Sequence, residues 1–340
     1  MTMENKNMDN KNMDSRPYIR VEHLKKYFST KRGMLHAVDD VSFEIQKGET
    51  LGLVGESGCG KSTLGRCLIR LLDSTSGSVL LKDTGGEGYT DVTKVGARQM
   101  KELRKRVQIV FQDPYSCLNP RLSVWELIAE PLIVNSIYSD KAKMRQRIRE
   151  LMDTVGLAER LENSYPHELD GGRRQRIGIA RSLALNPEFI VLDEPVSALD
   201  VCIQAQILNL LNTLQREFHY TYVFISHNLS VVKHVSDRIA VMYLGQMVEL
   251  CEYRELFKDP LHPYTQALLS AIPVAKLDVR RDRIILEGDV PSPIEPPDTC
   301  RFAGRCRYVQ DVCRKGTPPL TEHAPGHFVA CHFAGKLGGE

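Results

Sequence analysis

Apolar and polar residues alternate over 18–24 and again over 41–45, the period of a strand with one buried face. Gly48 then marks a turn before Thr50-Leu-Gly-Leu-Val54, which reads as a buried strand. Beyond a glycine-rich stretch, residues 63–70 carry apolar side chains at helical spacing. Residues 100–106 predict an exposed helix, 107–111 a buried strand, and 122–157 a mostly helical segment ending near Gly156. Phe189-Ile-Val-Leu192 and Tyr222-Val-Phe-Ile225 are short β-rich runs on either side of a helix expected over 201–218. Strands alternating with helices predict a mainly parallel α/β sheet. Past Pro260 the pattern changes, and Pro291, Pro293, Pro296 and Pro297 mark a linker. The chain shows no internal repeat and no run of eighteen apolar residues, so no part of it is expected to span a bilayer.

Composition narrows the class without changing that picture. The 340 residues are 42% hydrophobic and 26% charged, proportions that exclude disorder and collagen and suit a soluble globular protein, one large domain with an appendage. Forty-five Lys and Arg face 43 Asp and Glu, so there is no broad positive field for nucleic acid or lipid, and no nucleic-acid partner is expected. Residues 1–16 hold three basic and three acidic side chains and no apolar stretch; they are expected to form a solvated tail, not a secretory signal. Nine cysteines without such a signal point to a reducing cytosol, where clustered thiols bind metal more often than they pair.

The chemistry begins at Gly55-Glu56-Ser57-Gly58-Cys59-Gly60-Lys61-Ser62-Thr63, placed between a predicted strand and a predicted helix. Glycines at this spacing let backbone N–H groups converge on phosphate oxygens. A helix N-terminus adds partial positive charge, Lys61 reaches the β- and γ-phosphates, and Ser62 can ligate Mg²⁺. A nucleoside triphosphate is the natural ligand. At the end of the run 189–192, Asp193 is placed to hold Mg²⁺ through water, and Glu194 to face the γ-phosphate and polarise an attacking water.

With these residues in place the chain resembles the ATP-binding subunits of ABC transporters over about 17–251. Gln112 matches the family's Q-loop glutamine and is implied as catalytic and as a magnesium ligand. Leu169-Asp170-Gly171-Gly172-Arg-Arg-Gln175 matches the signature segment that meets a partner's ATP, Ser197-Ala-Leu-Asp200 the D-loop, and His227 the switch histidine. Phe28 matches the aromatic that stacks on adenine, with Tyr27 as neighbouring candidate. Gln112-Asp-Pro-Tyr-Ser-Cys-Leu-Asn-Pro-Arg121 and Pro260-Leu-His-Pro-Tyr-Thr-Gln-Ala-Leu269 are typical of the oligopeptide/dipeptide importers.

The resemblance implies a RecA-like P-loop ATPase core over 17–255 with an antiparallel β edge. A helical subdomain at about 113–166 would receive the membrane subunits, and a C-terminal extension would cover 256–340. It implies ATP and Mg²⁺, two transmembrane permease subunits, an extracytoplasmic substrate-binding protein, and a peripheral place on the cytoplasmic face of the membrane. A soluble ABC ATPase acting on ribosomes or nucleic acid is the alternative, though such proteins usually carry two ATPase units or long insertions, and neither appears here. The signature also departs from the usual Leu-Ser-Gly-Gly-Gln, with Asp170 for serine and Arg173 for glutamine. An ionised aspartate cannot donate to a partner's γ-phosphate and repels it, which favours a heterodimer with a second ABC ATPase subunit over a homodimer.

Cys300, Cys306, Cys313 and Cys331 crowd the last 41 residues. Their spacing lacks the tight pairs usual for structural zinc and tilts toward a [4Fe-4S] cluster, which some ATPases of this subfamily carry on this tail. Unligated thiols and a mixed zinc site with His323, His327 or His332 stay open; the bland reading of those histidines is exposed polarity.

Overall fold

Two β-sheets and a helical layer carry the chain in a computed structural model that describes residues 16–272 and 283–336; the predicted N-terminal tail lies, Arg16 apart, outside the described residues. The strands are β1 (Ile19–Thr30), β2 (Gly33–Ile45), β3 (Thr50–Val54), β4 (Ser76–Lys82), β5 (Tyr89–Asp91), β6 (Val107–Val110), β7 (Phe189–Asp193), β8 (Thr221–Ser226), β9 (Arg238–Tyr243), β10 (Gln246–Glu252), β11 (Thr321–Ala324) and β12 (His327–Val329). The α-helices are α1 (Lys61–Leu68), α2 (Ala97–Arg106), α3 (Pro114–Cys117), α4 (Val124–Val134), α5 (Lys141–Thr154), α6 (Gly171–Leu183), α7 (Val201–Phe218), α8 (Leu229–Val235), α9 (Tyr253–Lys258) and α10 (Pro263–Ser270).

The first sheet is antiparallel, in the order β2-β1-β4-β5. The second runs β11-β12-β10-β9-β3-β8-β7-β6, with β6, β7, β8, β3 and β9 parallel and β10, β12 and β11 antiparallel at one edge. Every residue of β3, β7 and β8 is buried, as a parallel strand covered on both faces requires. Because these strands are parallel neighbours, their carboxyl ends lie side by side, and the loops after Val54, Asp193 and Ser226 converge on one rim.

Three expectations are revised. β1 runs to Thr30, not residue 24, because register shifts between Val21 and Tyr27, with His23 at φ +47°, break the alternation that would have revealed it. The segment 122–157 is two helices. α4 ends after Pro131, Ser136 takes φ +51°, and the Asp140 carboxylate accepts from Ala142 N–H to start α5. The C-terminal extension is stitched into the main sheet: β12 pairs with β10 through Glu249↔Val329 and Leu250↔Phe328.

Candidate active site

The loop between β3 and α1 can only be made of glycine at two points. A Cβ on Gly55, at φ +153°, would stand 2.2 Å from Met242 O. One on Gly60, at φ +106°, would stand 2.0 Å from Ala37 O. Gly60 is the residue before α1, so the first N–H groups of that helix open onto the cavity above it. Lys61 is buried, and its ammonium donates to Gly55 O and Glu56 O at 2.9 Å each, folded back along the loop.

Across the loop, the Ser62 hydroxyl donates to Asp193 Oδ1 at 2.6 Å, and Arg66 stands 3.4 Å from the other oxygen of this fully buried carboxylate. A hydroxyl beside a carboxylate is the oxygen-donor set Mg²⁺ prefers, and the glycine cradle leaves room for phosphate. Glu194 adopts φ +47°, a conformation costly to a non-glycine residue. Its Oε2 accepts from Gln112 Nε2 at 3.0 Å and faces His227 Nδ1 at 3.3 Å, while Ser197 Oγ donates to Glu194 O at 3.1 Å.

A cavity of about 550 Å³ is lined by Phe28, Ser57, Gly58, Gly60, Lys61, Ser62, Thr63, Gln112, Glu194 and His227, with Leu35, Ala37 and Pro293. Tyr27 is engaged elsewhere, stacked on His36 with its hydroxyl donating to Asp39. Gly55, Glu56, Cys59 and Asp193 support the cavity from behind its lining. Its lining joins the polar groups of the phosphate loop to the apolar Phe28, Leu35, Ala37 and Pro293, the form of a site for a phosphorylated base.

Asp170, Gly171, Gly172 and Asp200 are not among its lining residues. Asp170 caps α6, accepting from Arg173 N–H at 2.8 Å, and pairs with the Arg173 guanidinium at 3.4 Å. Arg174 is committed inward, donating to Pro166 O and lying over the Tyr115 ring. Among the described residues, Arg173 is therefore the one whose guanidinium pairs with the aspartate.

The sequence motifs did not show what several supporting residues do, and Arg301 and Arg305 carried no signal at all. The Glu56 carboxylate pairs with Arg305 at 2.8 Å, and Glu56 N–H donates to the Tyr264 hydroxyl. His262, Pro263 and Tyr264 thereby acquire distinct tasks: His262 Nδ1 caps α10 by accepting from Tyr264 N–H, Pro263 fits the first helical turn, and Tyr264 braces the phosphate loop. Arg301 donates to Asp39 and Leu244 O. Although burial pushes the other way, bonds from Tyr27 and His36 and the Arg301 charge hold Asp39 below the usual carboxylate range.

All four tail cysteines line one small cavity, with His262, Phe302 and His332 among its other walls. Burial, then the neighbouring thiols, push Cys300 up to about 11; Cys306 and Cys331 are raised in the same direction, also chiefly by burial. His327 corrects the reading of exposed polarity. It is buried, its Nε2 lies 2.7 Å from Glu249 Oε1, and Cys251 completes a group whose donor atoms lie within 4.8 Å of one another. Glu249 also accepts from Leu261 and His262 N–H, so it clasps the tail to β10 with its oxygens already satisfied.

Residues 38–197 match the family described as ABC transporter, and 248–313 match the oligopeptide/dipeptide transporter C-terminal region. The oligopeptide transport ATP-binding protein AppF of Bacillus subtilis is 50% identical over 324 residues, covering 93% of this chain and 97% of AppF. Haemophilus influenzae OppF, also an oligopeptide transport ATP-binding protein, is 48% identical over 314 residues, 92% and 93% of the two chains. The dimeric post-hydrolysis structure of the ATP-binding cassette MJ0796 bound to ADP and Pi aligns with TM-score 0.62 and 29% identity, covering 69% of this chain and 99% of that one. Clostridium perfringens cbiO1, part of the ABC transporter complex cbiONQ, aligns with TM-score 0.62 and 27% identity, covering 72% and 91%.

Proposed function

The chain belongs to the ABC transporter family, among its oligopeptide transport ATP-binding proteins, and from that premise we propose that it binds and hydrolyses ATP to energise the import of oligopeptides or dipeptides. The observation that carries this reading is the meeting of Ser62 with Asp193, and of Glu194 with Gln112 and His227, on the rim of one cavity. Mg²⁺ held by Ser62 and Asp193, with Gln112 at the site's edge, would offset charge on the β- and γ-phosphate oxygens. Lys61 turns from Gly55 O and Glu56 O toward the phosphates. Glu194 orients water for in-line attack and takes up its proton, while His227 and Gln112 fix the carboxylate's position.

Asp170, Gly171, Gly172, Ser197 and Asp200 act on the ATP of a second ATPase subunit, and the Asp170 charge favours a heterodimer. Two permease subunits and a substrate-binding protein complete the transporter, with this chain peripheral on the cytoplasmic face of the membrane. Among the described residues no helix is long and apolar enough to cross a membrane. The permeases would dock on the helical region at about 113–166. Ile133 and Val134 are 55% and 63% exposed there, and a groove of about 520 Å³ is lined by Phe111, Pro131 and Val134. We read 17–255 as the ATPase unit and 256–340 as its extension.

For the tail we favour a [4Fe-4S] cluster on Cys300, Cys306, Cys313 and Cys331. Four thiols gathered round one small cavity, with Cys300, Cys306 and Cys331 raised chiefly by burial, gain most from a cationic centre that takes them as thiolates.

The test of the ATPase reading is the assembled transporter carrying Glu194→Gln. It should bind ATP with parental affinity and hydrolyse it about a hundredfold more slowly or worse, whereas Lys61→Ala should weaken binding itself. Parental turnover in Glu194→Gln would refute the assignment.

A further inference from the structure

The proline-rich run that opens the C-terminal extension is fastened across the nucleotide cavity. β2 is the edge strand of the antiparallel sheet, so the backbone groups facing away from β1 need partners. Residues 293–295 supply them. His36 N–H donates to Pro293 O at 3.0 Å, Leu35 and Ile294 form an antiparallel bridge, and Glu295 N–H donates to Met34 O at 2.9 Å. The Glu295 side chain adds a third hydrogen bond, its Oε1 accepting from Met34 N–H at 2.8 Å.

Two further features show how closely this strap is fitted. Glu295 is held at φ +47°, where a non-glycine residue stays only if its surroundings over-determine it. Opposite it, a Cβ on Gly33 would stand 2.7 Å from Glu295 Cγ, so the hairpin between β1 and β2 leaves room for that side chain.

The strap ends at the apolar residues of the cavity lining. Leu35 is the register partner of Phe28 in β1 and the bridge partner of Ile294 in the strap, which brings Phe28, Leu35 and Pro293 into neighbouring rows. Pro293 is the one lining residue drawn from the extension; the others lie between residues 28 and 227. The phosphate-loop residues line the same cavity, so this apolar group is where the base of a nucleoside triphosphate would rest.

We propose that Pro293, positioned by Glu295, forms a wall of the base subsite, so that the C-terminal extension of this chain helps bind the purine of ATP. This deepens the nucleotide reading above and rests on it. By linkage, a bound base holds the strap in place as much as the strap holds the base.

The test compares MgATP with magnesium tripolyphosphate, which has the phosphates and no base, by titration calorimetry on the full-length chain. Pro293→Gly and Glu295→Ala should each weaken ATP binding about fivefold, which is about 1 kcal/mol, the scale of one small apolar contact. Tripolyphosphate affinity should stay within about twofold, showing that the phosphate loop remains folded, and Glu295→Gln, whose amide oxygen can still accept from Met34 N–H, should keep ATP binding near parental. Parental ATP affinity in Pro293→Gly, or equal losses for ATP and tripolyphosphate, would overturn the base-subsite role. A parent chain that binds neither ligand would overturn the nucleotide reading and the strap together.

Discussion

Arg305 and Glu56 tie the cysteine-bearing tail to the phosphate loop across 249 positions of sequence. Their two contacts, Nη1 to Oε2 at 2.8 Å and Nη2 to Oε1 at 3.3 Å, form a two-pronged pair. The two ends differ in burial, since the arginine side chain is 9% exposed and the glutamate side chain 27%. Removing one member of a fully buried pair costs about 3–5 kcal/mol because the other charge is stranded. Arg305→Met strands the more accessible Glu56, which water can reach in part, so a cost of about 2 kcal/mol is expected. Glu56→Met strands the deeper guanidinium and should cost about 3 kcal/mol. The double variant should recover part of the sum, giving a coupling of about 1.5–2 kcal/mol. Urea unfolding of the full chain, followed by the fluorescence of its single tryptophan, Trp125, yields all four corners of the cycle. A coupling below about 0.5 kcal/mol would mean the pair is no more than two independent surface charges. The opposite order of single costs, with Arg305→Met the more damaging, would refute the reasoning from burial.

Acid should act through His262, which burial pushes down to about 4 against the opposing effect of Glu249. Its unfolded imidazole takes a proton near 6.5, so its contribution is full above pH 6.5, about 2 kcal/mol of it is lost by pH 5, and the loss is complete below pH 4. His262→Asn, which keeps a capping oxygen without titrating, should lose less stability between pH 7 and pH 5, and parallel urea midpoints across that range would contradict this. Anaerobically purified full-length chain should contain iron and absorb broadly near about 400 nm. Serine at any one of the four tail cysteines should bleach that band, whereas stoichiometric zinc without iron would reject the cluster. In the assembled transporter, glutamine at the catalytic glutamate of each ATPase subunit in turn should give a large loss only for Glu194→Gln. Equal losses would show that Asp170, paired with Arg173, leaves both sites competent.

What the sequence made legible was local. The phosphate loop, Asp193-Glu194 and His227 each lie at the end of a short buried strand, and a strand end is readable because a run of four apolar residues stops abruptly. The parallel pairing of those strands then brings the three segments together without any further instruction. Where bulges disturbed the period, as in β1 between Val21 and Tyr27, the pattern reading stopped short of Phe28's own strand, and Phe28 was reached only through its family motif. The tail was illegible for a different reason. Its fastenings join Arg301 to Asp39, Arg305 to Glu56 and Glu295 to Met34, separated by 262, 249 and 261 positions, and no periodicity links residues so far apart. Charged side chains in a proline- and cysteine-rich segment also read as solvated, because nothing local shows that a partner will desolvate them. The same three contacts explain why the extension belongs in an account of function. Two end on β2, at Asp39 and Met34, and one on the phosphate loop, at Glu56, so the cysteine cavity is mechanically continuous with the nucleotide cavity. A change in the tail that loosens Arg305 or the 293–295 strap must therefore appear as a change in nucleotide affinity, and bound nucleotide must in turn hold the tail in place.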